Sequence, residues 1–532
     1  MPPYVFPPTQ TSLVSFSSLF TDPTSSRSYT VHLTDATEHR SRFRDALKAY
    51  SNSKGDGELL SVVETAQSYL PLLTGLIGSL DEDDILTKSE LAISWKSPLT
   101  PSASSINLWA LGHELIFVLV ALAASLNNLS QSLIQSASTT SSSLSSNSTQ
   151  VMTSSMEKRQ IDNLSNAADH LCRASGVFET IANQLIPSWE GQLGELVIGD
   201  EVDAEGDPDV RPIMGRKMSK MNPLKGLSLK GAGVSGGGKG KGKMPLECNV
   251  EVIRALAMMT LADANAIAIL KLLSPFHPSI TLQTTSLPLP KGHPPPGLLA
   301  KLNLHVASLY SGARSLLKSN GQDIDRPLLD YLKKESGLAD IRARKWLGVE
   351  AGETPGGSKI GLALAWLEDA AKRLRELQSG GQVGGGKTSG FKEKMKGLKL
   401  DSGGREERKE RKGRLGVEEA DIEAFTKLYK HMNQTVHFQP IPLASTLQTL
   451  LPSGRPVLAA KPFTMPRPAF GPGSVGYVTK KTSPPVIADD TSTVGDAEEI
   501  GAVKEKEEED ATGGLAVWGK SQDVGTRRTD YF

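Results

Sequence analysis

Two cysteines, Cys172 and Cys248, are too few for a disulfide framework or a four-cysteine zinc site, and such usage fits a reducing compartment. Aromatic residues make up only 5% of the chain. Runs of β-branched and aromatic residues are correspondingly scarce, which argues against a β-sandwich or barrel. Net charge is missing as well: 59 Lys and Arg face 59 Asp and Glu, so the whole molecule is no electrostatic partner for nucleic acid and none is expected to bind. The first ten residues, Met1 to Gln10, are Pro-rich and have neither the basic nor the apolar region of a secretory signal, so an intracellular protein is expected. No apolar run reaches membrane length. The longest, Leu115 to Ala124, has ten residues where a span needs about 20, and it reads as a buried helix. The nine His residues show no HExxH or comparable spacing, so neither a catalytic centre, a metal nor a cofactor is expected.

What the chain does have is helical periodicity. Leu59, Val62, Ala66, Tyr69, Leu73, Leu76 and Leu80 follow at steps of 3 and 4, which keeps them on one helix face, with Pro71 expected to kink it. The same pattern predicts helices over 106–134, 157–186, 249–273, 297–318, 326–346, 360–377 and 418–432. Ala168, Ala174 and Gly176 are small enough to let a neighbouring helix approach closely. Strands are expected to be few and confined to about the first 35 residues.

Three segments break the periodicity and read as disordered insertions: about 136–155, mostly Ser and Thr; about 199–246; and about 379–414, Gly-rich and then charged. The second holds nine basic and no acidic residues between Val210 and Leu246. From 466 to 532 the chain reads as a solvated tail, with twelve acidic and five basic residues from Asp489 onward. Two motif matches fall in these insertions. Gly381 to Thr388 fits the GxxxxGK[ST] pattern of a P-loop, but an amphipathic helix precedes it where a strand is needed to hold the phosphate-binding amides. Gly233 to Gly237 fits GxSxG, which works only as a turn between strand and helix. Both read as linkers. His113 beside Glu114 could form an acid/base pair, but a hydrogen-bonded core pair is the simpler reading.

The helices carry recognisable segments in order. Leu91 to Leu99 (LAISWKSPL), the helix beginning Glu114-Leu-Ile-Phe-Val-Leu, Ala167 to Phe178 (AADHLCRASGVF) and Leu261 to Ala264 (LADA) resemble successive signatures of the BRO-one domain family, as found in ALIX and fungal PalA proteins. Asn433 to Pro442 (NQTVHFQPIP) and Leu451 to Phe463 (LPSGRPVLAAKPF) are similar to the C-terminal edge of that domain in its PalC subfamily of pH-response regulators. The resemblance covers residues 1 to about 465 and implies a mainly α, curved, boomerang-like helical solenoid with a tetratricopeptide-like middle and a small strand region near the N-terminus. It implies no enzymatic activity. It implies instead an adaptor in alkaline ambient-pH signalling, held peripherally at cortical plasma-membrane or endosomal sites. There it would bind the C-terminal amphipathic helix of the ESCRT-III core filament subunit and help assemble the complex that proteolytically activates a pH-responsive transcription factor. Other proteins of that signalling complex are implied as partners.

By the same resemblance Leu298-Leu-Ala-Lys301-Leu302 falls on the family's partner-binding helix, so Leu298 and Leu302 carry over as an apolar patch with Lys301 at its rim. A third position, commonly Phe, is Ala268 here, which shrinks the patch; a Tyr often found near the domain edge is His437. From spacing alone the two leucines, one helical turn apart, would be core. The resemblance puts them at the surface, where Leu302→Asp should abolish binding and leave the melting temperature nearly unchanged. The basic loop from Arg211 to Lys243 is expected either to touch an anionic membrane or to be a plain solvated linker. A tetratricopeptide-type scaffold with unrelated partners is the alternative that periodicity alone leaves open.

Overall fold

In the computed structural model, which describes residues 3–142, 154–188, 245–276, 289–320, 324–379 and 402–477 except positions 26, 54 and 102, the amphipathic stripes become long helices. Strand β1 (Gln10–Thr11), the single turn α1 (Phe16–Leu19) and strand β2 (Phe20–Thr21) lead into α2 (Tyr29–Ser53) and α3 (Asp56–Asp81). Strands β3 (Leu86–Thr87), β4 (Ile93–Lys96) and β5 (Ile106–Leu108) precede α4 (Leu111–Ser142) and α5 (Ser154–Thr180), which closes in a π-helical turn, Ile181–Leu185. Then come α6 (Val250–Leu273), α7 (Pro296–Ser319), α8 (Arg326–Gly352), α9 (Ile360–Ser379), α10 (Ser402–Met432) with its own π-helical turn Asn433–His437, and the single turn α11 (Ala444–Leu447). Among these, each long helix packs on the next in sequence, from α2 on α3 to α9 on α10. Such stacking is what a series of one-sided helices requires, because each stripe is covered by a neighbour. The mainly helical class with a few short strands is the one the periodicity predicts.

The strands reach further along the chain than expected. β1 and β2 are two residues long and need partners, which come from the segment after α3. β1, β4 and β5 form an antiparallel sheet with Gln10 opposite Lys96 and Ile93 opposite Leu108, and β2 pairs with β3. Ile93 and Trp95 alternate inward against Ser94 and Lys96, the period-2 pattern of a half-buried strand. Helix α2 has no counterpart among the helices that the periodicity predicts. Its buried stripe, Leu33, Ala36, Arg40, Phe43 and Leu47, has an arginine at its centre, which hides the pattern. Arg40 can be buried because its Nε lies 3.0 Å from Glu114 Oε1 and its Nη1 donates to the Ser12 carbonyl at 2.7 Å. Glu114 also accepts from the Trp95 indole, so its partners are Arg40 and Trp95 in place of the expected His113.

Residues 115–124 are all buried in α4. Helices α4 and α6 have the length and hydropathy of membrane spans, but 89% of that window in α4 lies inside the domain. The insertion boundaries shift. Residues 136–142 continue α4 and 154–155 open α5, while 402–414 belong to α10, where Arg414 reaches Glu335 of α8 at 3.2 Å. Leu246 is likewise buried, in a short 3-10 turn. The rest of the three insertions, the two rejected motifs and the basic loop lie outside the described residues. The chain divides into a unit spanning 1–478 and a second, 479–532, which also lies outside them.

After α10 the chain runs as an extended strap back across the helices, and it does not end at 465. Arg455 donates its N–H to the Lys301 carbonyl of α7 (3.1 Å), Lys461 to the Cys172 carbonyl of α5 (3.0 Å), and Ala469 to the Pro71 carbonyl of α3 (2.9 Å). Phe470 is buried and stacks on His32 of α2, ring centroids 4.4 Å apart. Residues 466–477 are therefore part of the domain, because an aromatic anchor and backbone hydrogen bonds offset the entropy of ordering them. The small residues of α5 have a related role. Gly176, expected to admit a helix, admits the strap: a Cβ there would sit 1.6 Å from the Lys461 carbonyl oxygen. Gly176→Ala should lift the strap and cost about 3 kcal/mol, near the upper end for overpacking, read as a fall in melting temperature. An unchanged transition would mean that the strap contributes little.

Candidate partner-binding site

Asn249 starts α6 by accepting the N–H groups of Glu251 (2.9 Å) and Val252 (3.2 Å) on its side-chain oxygen, and Pro296 starts α7 where a missing N–H costs nothing. The two helices form an antiparallel pair. Ser319 at the end of α7 meets Glu251 at the start of α6, Gly312 meets Met258, and Tyr310 bonds to Asp263. Continuing that register brings Ala268 opposite the Leu298–Leu302 turn, so the four expected residues converge on one end of the α6/α7 seam.

Their exposures differ. Lys301 is exposed, and Leu298 and Ala268 are half-buried, but Leu302 is only 3% exposed and belongs to the main core. The expected surface position of Leu302 is thus not what the structure shows. Helix geometry explains it: Leu302 shares the inward face of α7 with Leu299 and Val306, both buried, while the strap runs beside that face. Arg455 bonds at Lys301, Gly454 rests on the His305 backbone, and Asn265 of α6 receives Val457 and Leu458 N–H groups on its Oδ1 (2.9 and 3.0 Å) while donating to the Leu458 carbonyl (3.2 Å). The chain therefore runs along the seam beside Leu302. What remains at the surface is Leu298, Ala268 and the Lys301 ammonium. Asn265 was missed by sequence reasoning, although two polar residues, Asp263 and Asn265, inside the apolar run from Val252 to Ile269 are a usable signal: a buried polar side chain must have a partner.

Asp263 is the electrostatic centre of the same region. It is buried, and the Tyr331 hydroxyl donates to its Oδ1 at 2.6 Å, alongside that of Tyr310. Tyr4 from the N-terminal segment packs on Tyr331, ring centroids 5.5 Å apart, so the cluster ties that segment to α6, α7 and α8. Burial pushes the Asp263 carboxyl up to about 7; the nearby Glu335 carboxylate acts in the same direction, and the two tyrosine hydroxyls oppose it. Elsewhere, burial lowers the His113 imidazole to about 4, so it is a neutral core group at neutral pH. Among the described residues no group of three His, Cys, Asp or Glu is arranged to hold a metal. The two cysteines are free and buried.

No family model matches the chain. The solved structures to which it is similar include the complex of ALIX BRO1 with CHMP4C, with a TM-score of 0.51 and 13% identity over 88% of this chain and 98% of that one. Crystalline ALIX in complex with the SIVmac239 PYKEVTEDL late domain matches at the same TM-score of 0.51 and 14% identity, over 88% of this chain and 50% of that one. At such identities the likeness concerns the fold, which is that of the Bro1 domain. Sequence goes further: pH-response regulator protein palC of Cryptococcus neoformans var. neoformans serotype D (strain B-3501A) is 35% identical over 517 residues, 90% of this chain and 95% of that protein. With that identity over 90% of its length and a Bro1-domain fold, the chain belongs to the palC family of pH-response regulators.

Proposed function

We propose that this chain is a non-enzymatic adaptor of ambient-pH signalling that takes the C-terminal amphipathic helix of the ESCRT-III core filament subunit on the α6/α7 seam. The observation that carries the reading is the match over 90% of this chain with palC, a pH-response regulator. The fold shared with ALIX BRO1, which forms a complex with CHMP4C, supports the choice of partner. At the seam, Leu298 offers a half-buried apolar surface beside Ala268, and Lys301 stands at the rim. That arrangement suits helix-in-groove recognition, in which the apolar face supplies affinity and the ammonium steers approach. Bound there, the chain would sit in the cytoplasm, peripheral to cortical plasma-membrane or endosomal sites, and recruit the other proteins of the pH-signalling complex. Contact of the basic loop from Arg211 to Lys243 with anionic lipid is part of the same proposal.

The test is titration of the full chain with a labelled peptide of the ESCRT-III subunit's C-terminal helix. Leu298→Ala should cost about 2 kcal/mol of affinity, roughly thirtyfold. Ala268→Phe, which restores the larger residue common in the family, should instead tighten binding by about tenfold. If the peptide does not bind, or if neither substitution changes its affinity, the seam is not the site.

A further inference from the structure

The end of α10 carries a second feature, distant in sequence from the α6/α7 seam. Asn433 clamps Gln439 through its side chain: Asn433 Oδ1 accepts the Gln439 N–H at 2.8 Å and Asn433 Nδ2 donates to the Gln439 carbonyl at 3.0 Å. Gln439 in turn clamps the start of α9, donating from Nε2 to the Gly357 carbonyl (2.8 Å) and accepting the Gly361 N–H on Oε1 (3.0 Å). Between the clamps the backbone is forced at Phe438 into the left-handed region, φ 49° and ψ 34°. A bulky residue there is strained, and it persists only where its surroundings over-determine it. The side chain so held gains nothing from the domain: Phe438 is 74% exposed, and Val436, Ile441 and Leu443 beside it are also exposed. These four apolar groups are exposed together on a turn whose backbone the two clamps hold.

The segment that carries these side chains has charge of one sign. From Ala424 to Tyr477 the chain contains no Asp or Glu, and Lys427, Lys430 and His431 are exposed on the last turns of α10 that lead into it. Lys359, exposed at the start of α9, lies between the two glycines that Gln439 clamps. The nearest counter-charge that bonds to α10 in this region is Glu353, which accepts from the Tyr429 hydroxyl at 3.3 Å. Apolar side chains at the apex with lysines set behind them fit the interface of a bilayer, where the apex enters the acyl boundary and the ammonium groups meet anionic headgroups. Four exposed apolar side chains on a segment whose own charges are all basic favour a lipid surface. We propose that the turn Val436–Leu443 is a docking tip for an anionic membrane. The two clamps remove its flexibility beforehand, so little ordering entropy is lost on contact.

The proposal concerns lipid alone and is tested without any ESCRT-III component, so it stands or falls separately from the adaptor reading. Full-length chain is sedimented with vesicles of phosphatidylcholine and with vesicles of phosphatidylcholine mixed with phosphatidylserine. Wild type should bind the mixed vesicles only. Phe438→Asn, which suits a left-handed backbone, should lower that binding at least about tenfold with no loss of melting temperature, and Lys427→Glu with Lys430→Glu should do the same. Deleting 211–243 should leave a fraction that still depends on Phe438. Because Cys172 and Cys248 are buried, Phe438→Cys accepts an environment-sensitive thiol probe at one site, and its emission should shift to the blue on the mixed vesicles. Binding unchanged in Phe438→Asn, binding lost entirely with the loop, no shift of the probe, or a wild type that ignores both vesicles each overturns the proposal, the last leaving the tip to a protein partner.

Discussion

Leu302→Asp is expected to unfold the domain rather than to disable one surface. Leu302 is 3% exposed and shares the inward face of α7 with the buried Leu299 and Val306. Removing a buried leucine costs about 2–5 kcal/mol, and a carboxylate placed there without a partner adds several more. The sum is comparable to the whole stability of a typical domain. Circular dichroism should show a loss of helix or a transition lowered by well over about 10 °C. Leu302→Met, which conserves volume, should stay within about 1.5 kcal/mol of the parent. A Leu302→Asp chain that melts like the parent would return Leu302 to the partner surface.

Asp263→Asn is expected to remove much of the fall in stability with rising pH. In the folded chain the Asp263 carboxyl is pushed up to about 7 from an ordinary 3.8 by burial, with Glu335 adding to it. Between those values the unfolded chain releases the proton before the folded one does. Stability from this group is therefore full below pH about 4, declines as pH rises and is lost above about 7, by up to about 4 kcal/mol. The groups around it form one cluster: Tyr310 and Tyr331 donate to it, the Tyr4 backbone also hydrogen-bonds to it, Glu335 stands beside it, and Arg414 of α10 bonds to Glu335. The amide of Asn keeps an acceptor for both hydroxyls and has no charge to bury. Glu418 works in the opposite direction. Buried, but with Lys345 Nζ at 2.7 Å and Arg342 Nε beside it, it is held down at about 2, so its contribution is present above pH about 4.5 and lost as pH falls toward 2. Melting temperatures of parent and Asp263→Asn across pH 5 to 8 decide the matter. Parallel curves would show that Asp263 does not titrate in this range.

Much of the molecule is legible in its residues alone. The stripe Leu59 to Leu80 forms α3 and Val252 to Ile269 forms the buried face of α6, because a helix that is apolar on one side has to bury it whatever its neighbours are. The order of the short signatures points to the same family as the match with palC. Local pattern fails where a residue's environment is made by distant chain. Helix α2 is hidden by Arg40, whose burial makes sense only once Glu114 is beside it, 74 positions away. The two-residue strands become visible only through partners some 70 to 90 residues on. Leu302 is the clearest case for the site. Its spacing says core, its resemblance says surface, and the packing decides for core: Leu302 is buried in line with Leu299 and Val306, while the segment 454–458 passes beside it on one hydrogen bond to Lys301 and three to Asn265. An extended strap has no periodicity of its own, so its course is set by the glycines and helix carbonyls it meets, and these are brought together only after the helices have packed.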